Sequence, residues 1–403
     1  MDKLRIAIVG ASIAGSACGI LLQRSKKFDI SIFEKRAADA MLSQGAGIGF
    51  SPAITQQLKE HDLIDQDFPY LDLTYNPSFV YEKAIDQERL LNDSKLILYA
   101  VNWATLYAQL TKRLMREQVH YNSQVTAISR ENDAIKLTIN NHETQAFDLV
   151  IFADGYDSIG HRWLFPDSKI NFANYILWRG LTPIEKITDP ARFLEIFTFS
   201  FYTRGVAAIY PILGAPTLDN KDKLFINWAV YEKSNQQHPL FPQPSDAHKN
   251  IAPDKMPASY LNYFKEVLSK EFSPFIREVL AGTLPPFMQA IEDRDASAYY
   301  QDRVCLVGDA GILIRPHAGS GAVKGFQDAF ELEKVLTSSN NLETDLQQWS
   351  NARCQAATQL LNLSRSVGKF FVEEAPDWNA LTREEMQNGF SAALAGRHYS
   401  YSK

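Results

Sequence analysis

Two glycine-rich turns stand near opposite ends of this chain, each set between an apolar run and a helical pattern. The later one is the more informative. Val304–Val307 runs into Gly308-Asp309, and Pro316-His317-Ala318-Gly319-Ser320-Gly321 then opens a helix through Asp328. A carboxylate at the end of a buried strand can hold a polyol hydroxyl. A helix N-terminus can face a ring edge that turns anionic on reduction, because its N–H groups and dipole favour negative charge. Those are the demands of the far end of a flavin. The earlier turn, Gly10-Ala-Ser12-Ile-Ala-Gly15, suits the near end. Gly10 permits the tight turn, Gly15 lets helix and strand approach, and the helix N-terminus offers N–H groups to a pyrophosphate. Ser12 stands at the middle-glycine position. Glu34, closing the next strand, can accept bonds from ribose hydroxyls. The plain alternative is an ordinary βα turn with a surface Glu, and this turn alone does not separate NAD from FAD. Gly308-Asp309 does, since an NAD enzyme has no need of a second site. Asp154-Gly155 ends another strand, but Asp-Gly is also a common turn dipeptide.

The elements that must position these turns follow from hydrophobic spacing. Leu4–Val9, a helix over Ile13–Gln23 and a strand over Asp29–Phe33 form a βαβ unit. Asn102–Glu117 has helical spacing at Leu106, Leu110 and Leu114. Gln124–Ser129 and Ala134–Ile139 alternate as a hairpin, and Phe147–Phe152 is a buried strand. From about Tyr175 to Met288 helical periodicity fades. Aromatic strands replace it at Tyr175–Leu181, Val206–Ile212 and Leu224–Tyr231, which predicts an inserted, mostly antiparallel β-sheet. Ser259–Leu280 spells two helical pieces broken near Pro274. Leu342–Phe371 spells one long amphipathic helix that serves packing. The predicted fold class is therefore α/β: a Rossmann-like domain, an inserted antiparallel sheet and C-terminal helices. The expected division assigns 1–70, 100–170 and 290–340 to cofactor binding, 71–99 and 171–289 to substrate binding, and 341–403 to a helical tail.

Composition narrows the function classes. A 403-residue chain that is 45% hydrophobic can bury a large core. Its net charge of −6, with no Lys/Arg block, argues against a nucleic-acid partner. Cys18, Cys305 and Cys354 have neither metal nor redox spacing, so no metal site is expected and a reducing compartment is. The first strand begins too early for a signal peptide, and no apolar run is long enough to span a membrane. A cytoplasmic protein with no membrane association is expected.

With these residues in view, the chain resembles the single-component, class A flavoprotein monooxygenases that hydroxylate aromatic rings. GASIAG, ADG and VGDA stand in that family's order and spacing. Finer features resemble the 2,6-dihydroxypyridine 3-hydroxylase branch. These are the Ser12 variant, Gly45-Ala-Gly47-Ile48, Tyr175-Ile-Leu-Trp178-Arg179-Gly180, Asn227-Trp228, Pro286-Phe287 and Arg315-Pro316-His317. The resemblance implies non-covalent FAD, with Gly10, Ser12 and Gly15 around the pyrophosphate and Glu34 on the adenosine ribose. Lys35 or Arg36 would lie near the adenine, and Gly47 also against the cofactor. Asp309 would hold the ribityl chain, and Gly319, Ser320 and Gly321 would lie along the isoalloxazine. Asp154 would help to position the nicotinamide donor. The chain departs from the family pattern at Trp103, Gln44, Phe152, His161 (with Arg162 one step late) and Val323. Those changes bear on the pyrophosphate contacts and the nicotinamide preference.

The implied chemistry uses NAD(P)H and O2 to hydroxylate an electron-rich aromatic or heteroaromatic ring through a flavin C4a-hydroperoxide. The protein must exclude water, place the ring and deprotonate a ring hydroxyl. His317 and Tyr210 are the titratable candidates, against purely structural roles for both. Trp178, Trp228, Phe287 and Met288 suit either an apolar slot for a flat ring or the core of the sheet. Arg179 suits either an acidic substrate group or a structural ion pair. Two alternatives stay open: a larger polyketide-like or antibiotic ring as substrate, and a non-catalytic flavin-binding ligand carrier. A homodimer is what the resemblance implies for assembly.

Overall fold

A computed structural model describes residues 3–38, 46–215, 223–234, 238–241, 249–283 and 286–394. The strand Leu4–Val9 is apolar at almost every position because sheet partners flank it, helices cover the face of Ile6 and Ile8, and a small three-stranded sheet (Val125–Glu131, Ala134–Ile139, Glu143–Phe147) packs on the face of Ala7 and Val9. It pairs in parallel with Phe28–Phe33 on one side and Leu149–Phe152 on the other. Continuous apolar runs of this kind mark buried parallel strands. Val304–Leu306 extends the sheet in parallel beyond Leu149–Phe152. The six strands run in the order Tyr300–Gln301, Val304–Leu306, Leu149–Phe152, Leu4–Val9, Phe28–Phe33, Val119–His120. The turns ending at Gly10, Asp154 and Gly308 therefore converge on one edge, at the carboxyl ends of adjacent strands. That is where open α/β sheets bind ligands.

Helices Ile13–Leu22 and Gly321–Ser338 pack together over this sheet through small residues. A Cβ on Gly308 or Gly325 would stand 3.0 or 3.1 Å from the Ala14 methyl. The two glycine turns are thus neighbours, although the chain between them forms most of the molecule.

The inserted region forms an eight-stranded sheet. Its order is Phe287–Asp293, Asn171–Pro183, Leu224–Lys233, Gly205–Leu213, Thr198–Tyr202, Leu71–Glu82, Gln87–Asn102, Gly47–Phe50. All pairings are antiparallel except Thr198–Tyr202 with Leu71–Glu82. Gly47–Phe50 joins this sheet rather than the parallel one. The strand Gln87–Asn102 leads directly into helix Trp103–Thr111, so the two sheets are joined by continuous backbone. Alternation sends Ile176, Trp178, Ile209, Trp228 and Val230 to one face, under helices Ala258–Glu266 and Pro274–Gly282. The second of those helices begins at the proline that sequence periodicity had marked as a break. Leu177, Tyr210, Ala229 and Tyr231 face the other way. Helix Leu342–Gly368 continues through a π-helical turn, Lys369–Glu373, which carries Phe371 onto that second face. The fold is the α/β class that the sequence predicts. No helix among the described residues is long and apolar enough to cross a membrane.

Candidate active site

Gly10 and Gly15 are required by close approach. Gly10 has φ +97°, and a Cβ there would stand 2.6 Å from the Ala153 carbonyl oxygen. A Cβ on Gly15 would lie 1.8 Å from the carbonyl oxygen of Gly10. Glu34 is buried, and both its carboxylate oxygens already accept backbone N–H groups, from Ala11 (2.9 Å) and Arg36 (2.9 Å). Its first task is to brace the turn, and a ribose hydroxyl would use the remaining lone pairs. Lys35 and Arg36 are exposed beside it.

A guanidinium that sequence reasoning missed ties the other two turns together. Arg294 is buried and donates to the carbonyls of Tyr156 (2.7 Å), Asp309 (3.0 Å) and Ala310 (3.3 Å). The loop after Asp154-Gly155 and the Gly308-Asp309 turn are thereby held in one piece. His161 supports the same turn, with Nδ1 2.9 Å from the Ala310 carbonyl and Nε2 3.0 Å from Ser168 Oγ. Burial, and then the charge of Arg294, depress its imidazole to about 4, so it is a neutral strut. Arg162, one step on, points outward to Asp157. Phe152 fits because the residue facing its ring is Gly160, where a Cβ would stand 2.2 Å from the ring. Gln44 lies outside the described residues.

Beneath Gly308 sits a second group unread in the sequence. Asp328 accepts from the Gly308 N–H (2.9 Å) and from Arg353 Nε (2.7 Å), and Lys324 Nζ donates to the Gly308 carbonyl. Lys324 and Asp328 are fully buried, one turn apart on the helix that follows the second glycine turn. Only a buried lysine and aspartate at that spacing, in a helix otherwise apolar on that face, could have signalled them.

The turns leave groups unsatisfied. Asp154 Oδ2 accepts from the Ile159 N–H (2.9 Å), but Oδ1 is buried with no hydrogen-bond partner. Burial raises this carboxyl to about 6, against the hydrogen bonds from Ser158 and Ile159. Burial raises Asp309 as well, and no hydrogen bond reaches its carboxylate among the described residues. A Cβ on Gly155 or Gly321 would meet nothing within 4 Å. Unpaired acceptors and open backbone around convergent glycine turns fit a long polyhydroxylated, phosphate-bearing cofactor.

From this end a single cavity runs to the second face of the large sheet. Ser12, Trp103, Asp309, Gly319 and Gly321 line the first part, and Arg179, Phe197, Tyr210, Tyr231 and His317 line the second. Gly47 stands between the two. Its N–H donates to Asn227 Oδ1 (2.8 Å), and a Cβ there would stand 2.5 Å from the Tyr210 hydroxyl. Tyr210 is stacked on Phe197 (4.8 Å between centroids, 13°), and burial pushes its phenol up to about 12. His317 is buried, stacked on Tyr231 (4.2 Å, 29°), with Nε2 2.8 Å from Tyr175 Oη. Burial, then the nearby Arg315 charge, depress it to about 3. It is a neutral hydrogen-bonding wall of the cavity, poorly suited to take a proton near neutral pH. Arg315 is itself neutralised by Asp293 (2.7 Å) and Glu373.

Three predicted wall residues are elsewhere. Trp178, Trp228 and Met288 are buried on the opposite face, and Trp178 Nε1 donates to the buried Glu232 (2.8 Å). The reason is the period of two along a strand, which sends neighbours of the wall residues Leu177, Arg179 and Asn227 to the other side. Phe287 is not part of the cavity lining; its ring lies behind Arg179, 5.4 Å from the guanidinium.

Residues 287–364 match the family described as FAD binding domain. The chain is 25% identical to 2,6-dihydroxypyridine 3-monooxygenase of Paenarthrobacter nicotinovorans over 89% of each sequence. Its fold is similar to that of 2,6-dihydroxypyridine-3-hydroxylase from Arthrobacter nicotinovorans, with a TM-score of 0.83 and 21% identity over 94% of this chain and 96% of that one. Klebsiella pneumoniae HpxO complexed with FAD and uric acid has a TM-score of 0.74 at 17% identity, covering 97% of each chain.

Proposed function

We infer that this chain is one of the FAD-dependent aromatic-ring monooxygenases, consuming NAD(P)H and O2 to hydroxylate an electron-rich aromatic or heteroaromatic ring. The observation that carries the reading is the single cavity joining the glycine turns at the parallel sheet to an aromatic chamber on the antiparallel one. The relatives point the same way. One acts on a dihydroxypyridine, and a neighbour of the same fold holds FAD together with a flat heterocycle.

Bound FAD would supply the electron transfer and oxygen activation. Gly10, Ser12 and Gly15 would take its pyrophosphate, Glu34 its adenosine ribose, Asp309 its ribityl chain, and the Gly319–Gly321 turn its ring. Asp154, with its unpaired oxygen, would help to position the nicotinamide donor. The chain's own contribution is positioning and exclusion of water. Phe197 and Tyr231 offer flat apolar surfaces that orient a ring, and Tyr210 offers a hydroxyl that stays protonated and can donate to a ring oxygen. His317, a neutral imidazole, fixes Tyr231 by stacking rather than serving as base. Three free cysteines support a cytoplasmic setting, and a homodimer is proposed for the assembly.

The test is a panel of hydroxylated benzenes, pyridines and purines offered to the purified yellow protein with NADH or NADPH. A true substrate accelerates NAD(P)H oxidation and yields a product heavier by one oxygen with little peroxide release. Peroxide release with every ring, and no oxygenated product, would sink the proposal.

A further inference from the structure

One charge in the chamber has no counterpart among the described residues. Arg179 lines the cavity on the strand Asn171–Pro183, between Ala229 and Phe287 of its neighbours. Its Nε is buried without a hydrogen-bond partner, and no ion pair or hydrogen bond reaches its side chain among the described residues. The other arginine lining this cavity, Arg315, is held by two carboxylates. An unpaired, partly buried guanidinium is costly, because desolvation is repaid only by an anion or by hydrogen bonds. Here the ring of Phe287 stands 5.4 Å from the guanidinium, and the side chain lines the cavity. On this strand and its neighbours the wall combines apolar Leu177 and Ala229 with the uncharged amides of Asn227 and Gln289. Partly buried among neutral groups, the guanidinium would hold an arriving anion more strongly than it could in water. The charge also lies within electrostatic reach of two cavity phenols, Tyr210 and Tyr231, and favours ionisation of both against the burial that dominates them.

We propose that Arg179 is the specificity-determining residue of the chamber and binds an anionic oxygen substituent on the aromatic ring. The preferred substrates are then ring acids or ionised hydroxy-rings rather than neutral rings. This inference rests on the monooxygenase reading for its substrate class, but its evidence is the unpaired guanidinium alone. A planar fork of N–H donors suits a carboxylate, which it meets through two parallel bonds.

The experiment is calorimetric titration of the FAD-loaded full chain with matched pairs. Salicylate against salicylamide and 6-hydroxynicotinate against 6-hydroxynicotinamide test a carboxylate. 2,6-Dihydroxypyridine against 2,6-dimethoxypyridine tests a ring oxyanion. In the wild type at least one anionic member binds more tightly than its neutral mate. Arg179→Gln weakens that member by about 10- to 100-fold and its mate by less than about 3-fold. Arg179→Lys restores part of the difference. Because the change removes an unpaired charge, Arg179→Gln keeps its FAD and its melting temperature does not fall. Equal loss for both members, or no preference for any anion in the wild type, overturns the proposal. Turnover is not read, so a ring that binds through Arg179 but drives no NAD(P)H oxidation would count against the monooxygenase reading and leave this one standing.

Discussion

The two ends of the cavity are built from different materials. At the parallel sheet the contacts are backbone: three turns at adjacent strand ends, with glycines where side chains would collide and buried charges holding the loops still. At the antiparallel sheet the walls are side chains, taken from alternate positions of several strands and from the turn that carries His317. A backbone-made site needs residues at close sequence spacing, whereas a wall of alternating side chains can be assembled from anywhere. The first kind tolerates almost no change at Gly10 or Gly15, where backbone lies against backbone, and the second can be altered one residue at a time.

Disturbing the support beneath the backbone end should have the largest effect. Asp328→Ala leaves Lys324 and Arg353 without their buried carboxylate and the Gly308 N–H without an acceptor. A loss of about 3–5 kcal/mol in unfolding free energy is expected, read by denaturant titration. A loss under about 1 kcal/mol would mean that the group is not a structural unit. Next, Gly15→Ala sets a methyl against the Gly10 carbonyl. FAD affinity should fall by about 100-fold or more, seen as colourless protein after gel filtration, since N–H groups must stay aimed at the pyrophosphate. Retained flavin would show that the turn has room to shift.

Asp154 probes what this end gives up for its chemistry. Its carboxyl is raised to about 6 in the folded state, against about 3.9 unfolded. Protonation therefore favours the fold. Apo-protein stability should fall as pH rises from about 4 to 6 and then level off. Asp154→Asn should abolish that fall and gain about 1–3 kcal/mol at pH 7, while slowing flavin reduction by NAD(P)H. If the variant is no more stable, the orphaned oxygen is not a cost.

Smaller effects are expected at the side-chain end. Gly47→Ala presses on the Tyr210 ring. FAD should remain bound while ring binding weakens by about 10-fold, or about 1.4 kcal/mol. Loss of flavin instead would move Gly47 to the cofactor end. The gentlest probe is His317→Gln. A histidine depressed to about 3 titrates outside the working range, so the pH profile of turnover between 5 and 9 should keep its shape. Only stability should respond. The wild type loses it as pH falls below about 6.5, where unfolded histidine takes up a proton that the folded one refuses, and the variant is spared that part. A limb of the activity profile that vanishes with His317 would restore it as the base.

The sequence was most readable where local rules suffice. The strand, turn and helix around Gly10, the hairpin at Val125–Ile139, the break at Pro274 and the long helix from Leu342 all follow from spacing over a few residues. Helix Trp103–Thr111 proved shorter than its periodic stretch, because the chain turns at Lys112–Met115 before the strand Val119–His120. The resemblance extended this reading to cofactor and reaction class. It gave His161 only as a departure from the family pattern, and it did not reach Arg294 or the Lys324–Asp328–Arg353 group, which brace turns on distant segments.

By itself, then, the sequence determined that strands end in glycine turns able to face phosphate and polyol, and that a β-rich segment is inserted between them. Backbone conformation and short-range packing are encoded by neighbours. Only the tertiary structure decided which side of each strand meets the cavity. It turned Trp178, Trp228 and Met288 away, set Arg179 and Tyr210 inward, and surrounded His317 so completely that it stays neutral. Facing and dielectric depend on what packs against each strand from afar, and adjacent residues carry no record of that.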